Sequence, residues 1–443
     1  MSQPGRDVGL TRTIGFVGLT AGVVNTTIGA GIFALPAALA ASVGSYGPLA
    51  FIPCAFAIGA VAFCFSEGGR QIATSGGLYG YVAAAFGRFF GFLAGMLLLA
   101  ANLLACAGIA AAIGDTVGTL LPDQVRSTAR WAVILVSLLF FTAANYRGVR
   151  MGTRFVNLAT TMKLIPLLIF VLAGVLYMHF GNLALGPLPS PRRLGRAMIL
   201  GVFSLTGMEV ALCASGEVSE PDKTIPRALI AAMAFVSLLY FVIQGLAQGI
   251  LGPQLSTSAA PLIDAMSHIH PMLRALMVVG AGVSMLGYMA SDLLGTPRLL
   301  FAFARDRLLP AALGQVHTEN RVPHVAIMVY GTTVAILALT GTFAELAILA
   351  ALASAALYVA ACTAVWVLVQ RSPKLERGRG ARSRGSVVCA ACIGIVSMLA
   401  VIAAASRVEI WGLVVLIAIS ALIYALRTPA SISLRRRLGR LKY

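Results

Sequence analysis

Asn25-Thr26-Thr27-Ile28-Gly29-Ala30-Gly31-Ile32-Phe33 lies in the middle of the first apolar segment of the chain, and Pro36 follows it. Glycine weakens a helix by about 1 kcal/mol relative to alanine, and it lets a ligand approach the backbone closely. If the helix is interrupted at membrane depth, its free N–H and C=O groups must bind protein, water or a ligand. The stretch therefore predicts either a transporter binding site at a helix interruption or a glycine seam between two packed helices.

The composition is typical of a helical membrane protein. Of the 443 residues, 59% are hydrophobic and 11% are charged, and the mean hydropathy is +0.91. A helix needs about 20 mainly apolar residues to cross a bilayer, and on this criterion we predict twelve transmembrane helices. They lie near residues 14–40, 48–68, 86–113, 130–145, 155–178, 197–217, 226–251, 273–303, 324–340, 342–369, 387–405 and 409–426.

The net charge of +18 would suit a nucleic-acid-binding protein, but the distribution of the basic residues argues against that class. With the N-terminus inside, 25 of the 33 Lys and Arg residues fall in cytoplasmic segments and seven fall in outside loops. Because basic residues are enriched on the cytoplasmic side, we expect a multi-pass protein of the cell membrane with both termini in the cytoplasm. Basic segments beside a bilayer attract anionic lipids, so we expect membrane lipids, and no nucleic acid, as their partners.

The sequence predicts no metal site, cofactor or enzymatic centre. All seven cysteines fall in apolar segments, and the five histidines show no ligand spacing on one helix face. No nucleophile–base pair or phosphate-binding loop appears at membrane depth, so an enzyme is the least supported class. A channel is disfavoured as well, because the sequence contains no repeating ring of charge or carbonyl filter.

Charged residues fall near the middle of three predicted transmembrane helices. They are Lys163 in the fifth, Glu209 in the sixth and Asp292 in the eighth. A charge at the bilayer centre costs about 2.5–3.5 kcal/mol on insertion scales, so such a residue usually faces the interior of the bundle and has a function. We therefore expect these residues to act in coupling or gating.

The sixth helix repeats the features of the first, since Gly201 to Glu209 contains a mid-span glycine, two hydroxyl side chains and a carboxylate. Interruptions in helices one and six match a five-plus-five inverted repeat. On this interpretation residues 1–13 form the cytoplasmic N-terminus, 14–178 the first repeat, 197–369 the second repeat, 370–386 a basic cytoplasmic loop, 387–426 the last two helices and 427–443 a basic cytoplasmic tail.

Several motifs resemble those of the amino acid–polyamine–organocation (APC) superfamily of permeases, in the same order and over about two-thirds of the chain. They are Gly29-Ala30-Gly31-Ile32-Phe33 with Pro36, Gly76-Gly77-Leu78-Tyr79, Phe203 through Glu209 leading to Glu217, Pro221 with Ile225-Pro226-Arg227-Ala228, and Ala304-Arg305-Asp306 with Leu309-Pro310. The resemblance implies an all-α, leucine-transporter-like fold with interrupted helices one and six. It also implies secondary transport of amino acids by alternating access.

In that family's pattern the substrate lies between the two interruptions. The amide groups of Gly29, Ala30 and Gly31, at the start of the second half of helix one, would bind its carboxylate, which suits the positive end of a helix. Carbonyl groups of Thr27, Phe203, Ser204 and Thr206 would bind its ammonium group, and Phe203 would cover it. The implied substrate-binding residues are Thr27, Ile28, Gly29, Ala30, Gly31, Phe203, Ser204, Thr206 and Gly207.

Lys163 aligns with a lysine of sodium-independent members of the family, whose ammonium group stands in place of a sodium ion. We therefore expect proton-coupled symport or exchange, with Lys163 as a candidate proton carrier. Glu209 resembles a carboxylate proposed in that family for gating or proton sensing.

Asp292 departs from the family pattern, since relatives that carry arginine have an aromatic residue near this position. It could hold a cationic side chain, pair with Lys163 or relay protons. We expect neutral amino acids as substrates, and the alternative is a carrier of cationic amino acids or polyamines. Whether Asp292 faces the pocket separates the two. A transport-dead sensor or scaffold on the same fold is a further alternative, although a scaffold has no use for interrupted helices.

Overall fold

The computed structural model describes residues 14–29, 31–71, 77–118, 121–147, 149–212, 218–371 and 384–439. At residues 71, 77, 149–161, 211 and 428–439 it describes the backbone alone. Ala30, Gly76 and Glu217 of the predicted motifs lie outside the described residues. So do residues 1–13, most of the predicted basic loop and the last four residues.

The described residues fold into α-helices joined by short connections. In chain order the helices are α1 (Phe16–Thr27), α2 (Gly31–Val43), α3 (Gly47–Gln71), α4 (Gly77–Phe86), α5 (Arg88–Gly118), α6 (Asp123–Arg147), α7 (Val149–Tyr177), α8 (Pro191–Ser204), α9 (Met208–Leu212), α10 (Pro221–Leu251), α11 (Pro261–Ser267), α12 (Pro271–Gly295), α13 (Pro297–Arg305), α14 (His324–Thr340), α15 (Phe343–Arg371), α16 (Arg384–Ala403) and α17 (Arg407–Gly439).

The predicted apolar segments all coincide with helices. The first segment corresponds to α1 and α2, the sixth to α8 and α9, and the eighth to α12 and α13, while each of the others corresponds to one helix. Within the described residues, eight helical stretches are long and apolar enough to cross a membrane, and three apolar helices are shorter. The protein is therefore a membrane-embedded helical protein, and the number of twelve crossings stays a prediction.

The interrupted helices lie among the most extensively packed helix pairs. α3 packs against α10, α5 against α15, and α7 against α12. The two interrupted helices also cross each other, because α1 contacts α9 and α2 contacts α8. Both interruptions consequently lie inside the bundle.

Small residues allow the main helices to approach closely, as expected where apolar attraction between helices is weak. A Cβ atom added to Gly280 of α12 would lie 2.2 Å from Cγ of Pro166 in α7. A Cβ atom on Gly95 of α5 would lie 2.3 Å from Cζ of Phe303 in α13. These contacts leave no room for a side chain at either glycine.

The contact at Gly280 predicts a specific loss of stability in Gly280→Ala. The rigid Pro166 ring cannot move aside, and overpacking of this kind costs about 1–3 kcal/mol. Gly282→Ala is the matched control on the same helix, because a Cβ atom there meets nothing within 4 Å. Thermal unfolding of the detergent-solubilised variants should give a lower melting temperature for Gly280→Ala alone. Equal melting temperatures would show that α7 and α12 are not packed as described.

Candidate functional site

The predicted interruption of the first helix is present. α1 ends at Thr27 and α2 begins at Gly31. Ile28, with φ −76° and ψ 83°, has the backbone angles of the central residue of an inverse γ-turn. The Gly29 N–H donates to the Thr27 carbonyl at 2.9 Å and thereby closes this turn. The Gly29 amide, which the family pattern assigns to the substrate carboxylate, is thus bonded within the protein.

Lys163 satisfies two carbonyl groups at this interruption. Its Nζ donates to the Asn25 carbonyl at 2.5 Å and to the Ile28 carbonyl at 2.6 Å. The lysine side chain is 4% exposed, so the bundle interior surrounds these bonds. The Lys163 ammonium group therefore holds the end of α1 from the side of α7.

Two further helices bond to the same interruption. The Tyr240 hydroxyl of α10 donates to the Thr27 carbonyl at 3.1 Å, and the Ser284 hydroxyl of α12 donates to the Gly29 carbonyl at 3.2 Å. Unpaired main-chain groups are costly at membrane depth. The interruption is therefore stable because side chains from α7, α10 and α12 supply the missing donors.

The second interruption separates α8, which ends at Ser204, from α9, which begins at Met208. The Phe203 carbonyl accepts from the Thr206 N–H at 3.2 Å and from the Thr206 hydroxyl at 2.7 Å. Gly207 has φ +115°, a conformation that glycine adopts at no steric cost. The glycine predicted from the sequence is thus required by the turn.

The two interruptions touch at Gly207. A Cβ atom added there would lie 2.5 Å from the Thr26 carbonyl oxygen. The Gly207 N–H donates to Oε2 of Glu209 at 2.9 Å, and the Tyr358 hydroxyl of α15 donates to the same oxygen at 2.7 Å. Glu209, which is 2% exposed, therefore connects the second interruption to α15.

A cavity of about 420 Å³ lies against both interruptions. Most of the predicted site residues line it, namely Thr27, Gly29, Gly31, Phe203, Ser204, Thr206, Gly207, Glu209 and Asp292. Ile28 and Lys163 do not line the cavity; they contact each other beside the first interruption. Ala30 is outside the described residues. The cavity also reaches Gly295 and Arg298, which are exposed.

Some carbonyl groups at the cavity already accept hydrogen bonds within the protein, and others can accept them from a ligand. A carbonyl oxygen has two lone pairs, and the Thr27 and Phe203 carbonyls each accept two hydrogen bonds already. No donor within the described ranges reaches the Ser204 or Thr206 carbonyl. The Thr27 hydroxyl is buried and has no hydrogen-bond partner in the described part of the chain. Of the four predicted ammonium-binding carbonyls, Ser204 and Thr206 are therefore the ones free to accept.

Asp292 faces the cavity from α12 and is 9% exposed. Its Oδ1 accepts from the Thr296 hydroxyl at 2.7 Å, and its Oδ2 accepts from the Tyr330 hydroxyl at 2.6 Å. The orientation that the sequence left open is thus toward the cavity.

Three tyrosines that bond to site residues were not predicted from the sequence. Tyr240, Tyr330 and Tyr358 are each fully buried and donate to Thr27, Asp292 and Glu209 respectively. The only signal in the sequence is that a buried tyrosine hydroxyl usually finds a partner. That signal identifies a polar contact but not which group receives it.

The sequence is similar to those of known membrane transporters, which is consistent with this architecture. Residues 14–429 match the family described as amino acid permease. An uncharacterised transporter of Mycobacterium tuberculosis is 32% identical over 350 residues, which cover 75% of this chain and 74% of that protein. The methylthioribose transporter of Bacillus subtilis is 26% identical, with 85% of each chain covered. The serine/threonine exchanger SteT of the same organism is 27% identical, with 84% and 86% covered.

The family match extends from the first described residue to the last helix and includes both interruptions. The chain therefore belongs to the amino acid permease family.

Proposed function

We propose that the protein is a secondary active transporter that moves amino acids across the cell membrane by alternating access. The observation that carries this proposal is the meeting of two interrupted helices at a cavity of about 420 Å³. Interrupted helices at membrane depth mark the substrate sites of many transporters, because their free main-chain groups bind the substrate.

The fold we propose is the twelve-helix bundle with a five-plus-five inverted repeat. Such a repeat exchanges helix three with eight and helix five with ten. Helices three, five and ten correspond to α5, α7 and α15, and helix eight begins with α12. The repeat therefore relates the α5–α15 contact to the α12–α7 contact, and both contacts are extensive. It also relates the α1–α9 contact to the α8–α2 contact, and both are present. This pairing supports the repeat, with residues 14–178 and 197–369 as its halves.

The orientation we propose places both termini in the cytoplasm, with the basic loop and tail against anionic lipid. Arg298, at the exposed end of the cavity, belongs to the cytoplasmic side in this topology. Phe203 lines the cavity and packs against Phe343 at the start of α15, with ring centroids 6.0 Å apart. Phe343 begins a helix at the outer side in the same topology. The described conformation is therefore interpreted as one that opens toward the cytoplasm and is covered by Phe203 on the outside.

Substrate recognition is proposed to use main-chain groups. The first turn of α2, beginning at Gly31, presents N–H groups without intrahelical partners, and these suit the substrate carboxylate. The free carbonyls of Ser204 and Thr206 suit its ammonium group. The Thr27 hydroxyl, buried without a partner in the described chain, gains one when the substrate binds. Any α-amino acid offers these groups, whatever its side chain.

Coupling is proposed to be independent of sodium and to use protons or exchange. In transporters of this type, carbonyls at an unwound helix coordinate the sodium ion. Here the Lys163 ammonium group donates to two such carbonyls, so it takes the place of an external cation. Glu209, bonded to Gly207 and Tyr358, is the proposed gating carboxylate, because it connects the second interruption to α15.

The names of two relatives bear on the substrate. SteT is a serine/threonine exchanger, which supports amino acids as substrates and exchange as a mode. The methylthioribose transporter shares a similar degree of identity, so the substrate class needs a direct test. A transport-dead sensor on the same fold stays the alternative from another class.

The proposed function predicts uptake of a labelled amino acid mixture into proteoliposomes in sodium-free buffer. An inward proton gradient or internal amino acid should drive it. Gly207→Ala should lower uptake by about tenfold or more, since a Cβ atom would strain the turn and meet the Thr26 carbonyl. Gly87→Ala is the matched control, because Gly87 also has positive φ, +90°, but nothing lies within 4 Å of its Cβ position. Glu209→Gln should retain exchange and lose the response to the gradient.

If the native protein takes up no amino acid under either condition, the sensor or scaffold becomes the better interpretation. If Gly207→Ala transports as well as Gly87→Ala, the interruptions are not the substrate site.

The role of Lys163 predicts equal uptake by the native protein in sodium and choline buffers. Lys163→Met should lose most uptake, because each buried carbonyl left unpaired costs about 1–3 kcal/mol. Lys223→Met is the control, since Lys223 pairs with Glu220 at an exposed position. Sodium-dependent uptake by the native protein, or full uptake by Lys163→Met, would refute this role.

A further inference from the structure

Asp292 is a buried carboxylate that faces the cavity without a cationic partner among the described residues. The ion pairs of the described chain involve other carboxylates. Lys163, the buried cation that the sequence offered as a partner, bonds to Asn25 and Ile28 instead. A buried charge is costly unless it is paired and hydrogen-bonded. Asp292 has the hydrogen bonds and lacks the counter-charge.

The hydrogen bonds around Asp292 are arranged for an ionised carboxylate. Thr296 donates its only hydroxyl proton to Oδ1, and the Thr296 oxygen accepts in turn from the Asn102 amide at 3.3 Å. Tyr330 donates its only proton to Oδ2. The Cys106 thiol is a third hydrogen-bond partner of Asp292. An ionised carboxylate offers about four acceptor positions, so the network fixes Asp292 in place and leaves one acceptor position for a ligand.

Asp292 lies one helical turn beyond Tyr288 and about two turns beyond Ser284, and both of these residues meet the first interruption. Ser284, Tyr288 and Asp292 are four residues apart on α12 and so share one face. Ser284 bonds to the Gly29 carbonyl, and the Tyr288 ring lies 3.0 Å from the Cβ position of Gly29. Four residues of helix advance about 6 Å. With C–C bonds of about 1.5 Å, that distance suits an amino acid side chain of three or four methylene groups.

We propose that Asp292 binds the cationic end of the substrate side chain, so that the transporter prefers amino acids with a terminal ammonium or guanidinium group. This inference rests on the proposed amino acid transport. It replaces the expectation of neutral substrates, because the orientation of Asp292 was the criterion that separated the two classes. The α-amino and α-carboxyl groups bind at the interruptions, and the side chain extends along α12. The positive group then supplies the counter-charge that Asp292 lacks.

Lysine and norleucine test this inference, because they differ only in the terminal ammonium group. In proteoliposomes the native protein should take up lysine about tenfold or more efficiently than norleucine, as expected where a site is built for a polar group. Asp292→Asn should remove that preference, so that the ratio of lysine uptake to norleucine uptake falls by about tenfold. Asp222→Asn is the matched control, since Asp222 is exposed at the start of α10. It should behave as the native protein.

The outcomes separate this inference from the proposed function. Uptake of norleucine without a lysine preference overturns the Asp292 site and keeps amino acid transport. Uptake of neither overturns amino acid transport. If Asp292→Asn lowers lysine and norleucine uptake equally, Asp292 serves proton coupling or folding, and the inference is wrong.

Asp292→Glu decides the matter if Asp292→Asn does not fold. The carboxylate is retained and advanced by one methylene group, so the preference should move from lysine toward the shorter ornithine. An unchanged order of preference in Asp292→Glu contradicts the inference.

Discussion

A helix interrupted inside a membrane leaves main-chain groups that the helix itself cannot satisfy. The arrangement of this protein follows from how those groups are hydrogen-bonded. At the first interruption the donors come from three helices, through Lys163, Tyr240 and Ser284. At the second, Thr206 bonds back to Phe203 and Glu209 receives the Gly207 amide. These bonds hold both helix interruptions in fixed positions. The main-chain groups that remain without a hydrogen bond in the described residues face the cavity.

In the site that we propose, the remaining main-chain groups would bind every α-amino acid, and side chains would select among substrates. The free carbonyls of Ser204 and Thr206 and the first turn of α2 are main-chain features, so they match the part that all amino acids share. Selection then falls to side chains farther along the cavity. α12 connects the two parts, because one face bonds to the interruption at Ser284 and presents Asp292 about two turns later.

The sequence predicted the parts of the site that have a distinct chemical signature. Glycines inside apolar segments indicated both interruptions, and Lys163, Glu209 and Asp292 are buried as predicted from the cost of charge in a membrane. Tyr240, Tyr330 and Tyr358 could not be identified, because an aromatic residue in an apolar segment resembles ordinary core. The Gly29 amide is unavailable to a substrate because it closes a γ-turn, and that turn depends on the backbone angles of Ile28. No residue pattern specifies those angles.

Equilibrium binding to the purified protein tests most directly whether main-chain groups at the two interruptions recognise the α-amino acid. Norleucine, hexanoate, which lacks the α-amino group, and pentylamine, which lacks the carboxylate, should be compared by calorimetric titration. We expect norleucine to bind and both analogues to bind about a hundredfold more weakly, or roughly 2.7 kcal/mol. If either analogue binds as tightly as norleucine, the interruptions do not recognise the α-amino acid, and the substrate site lies elsewhere.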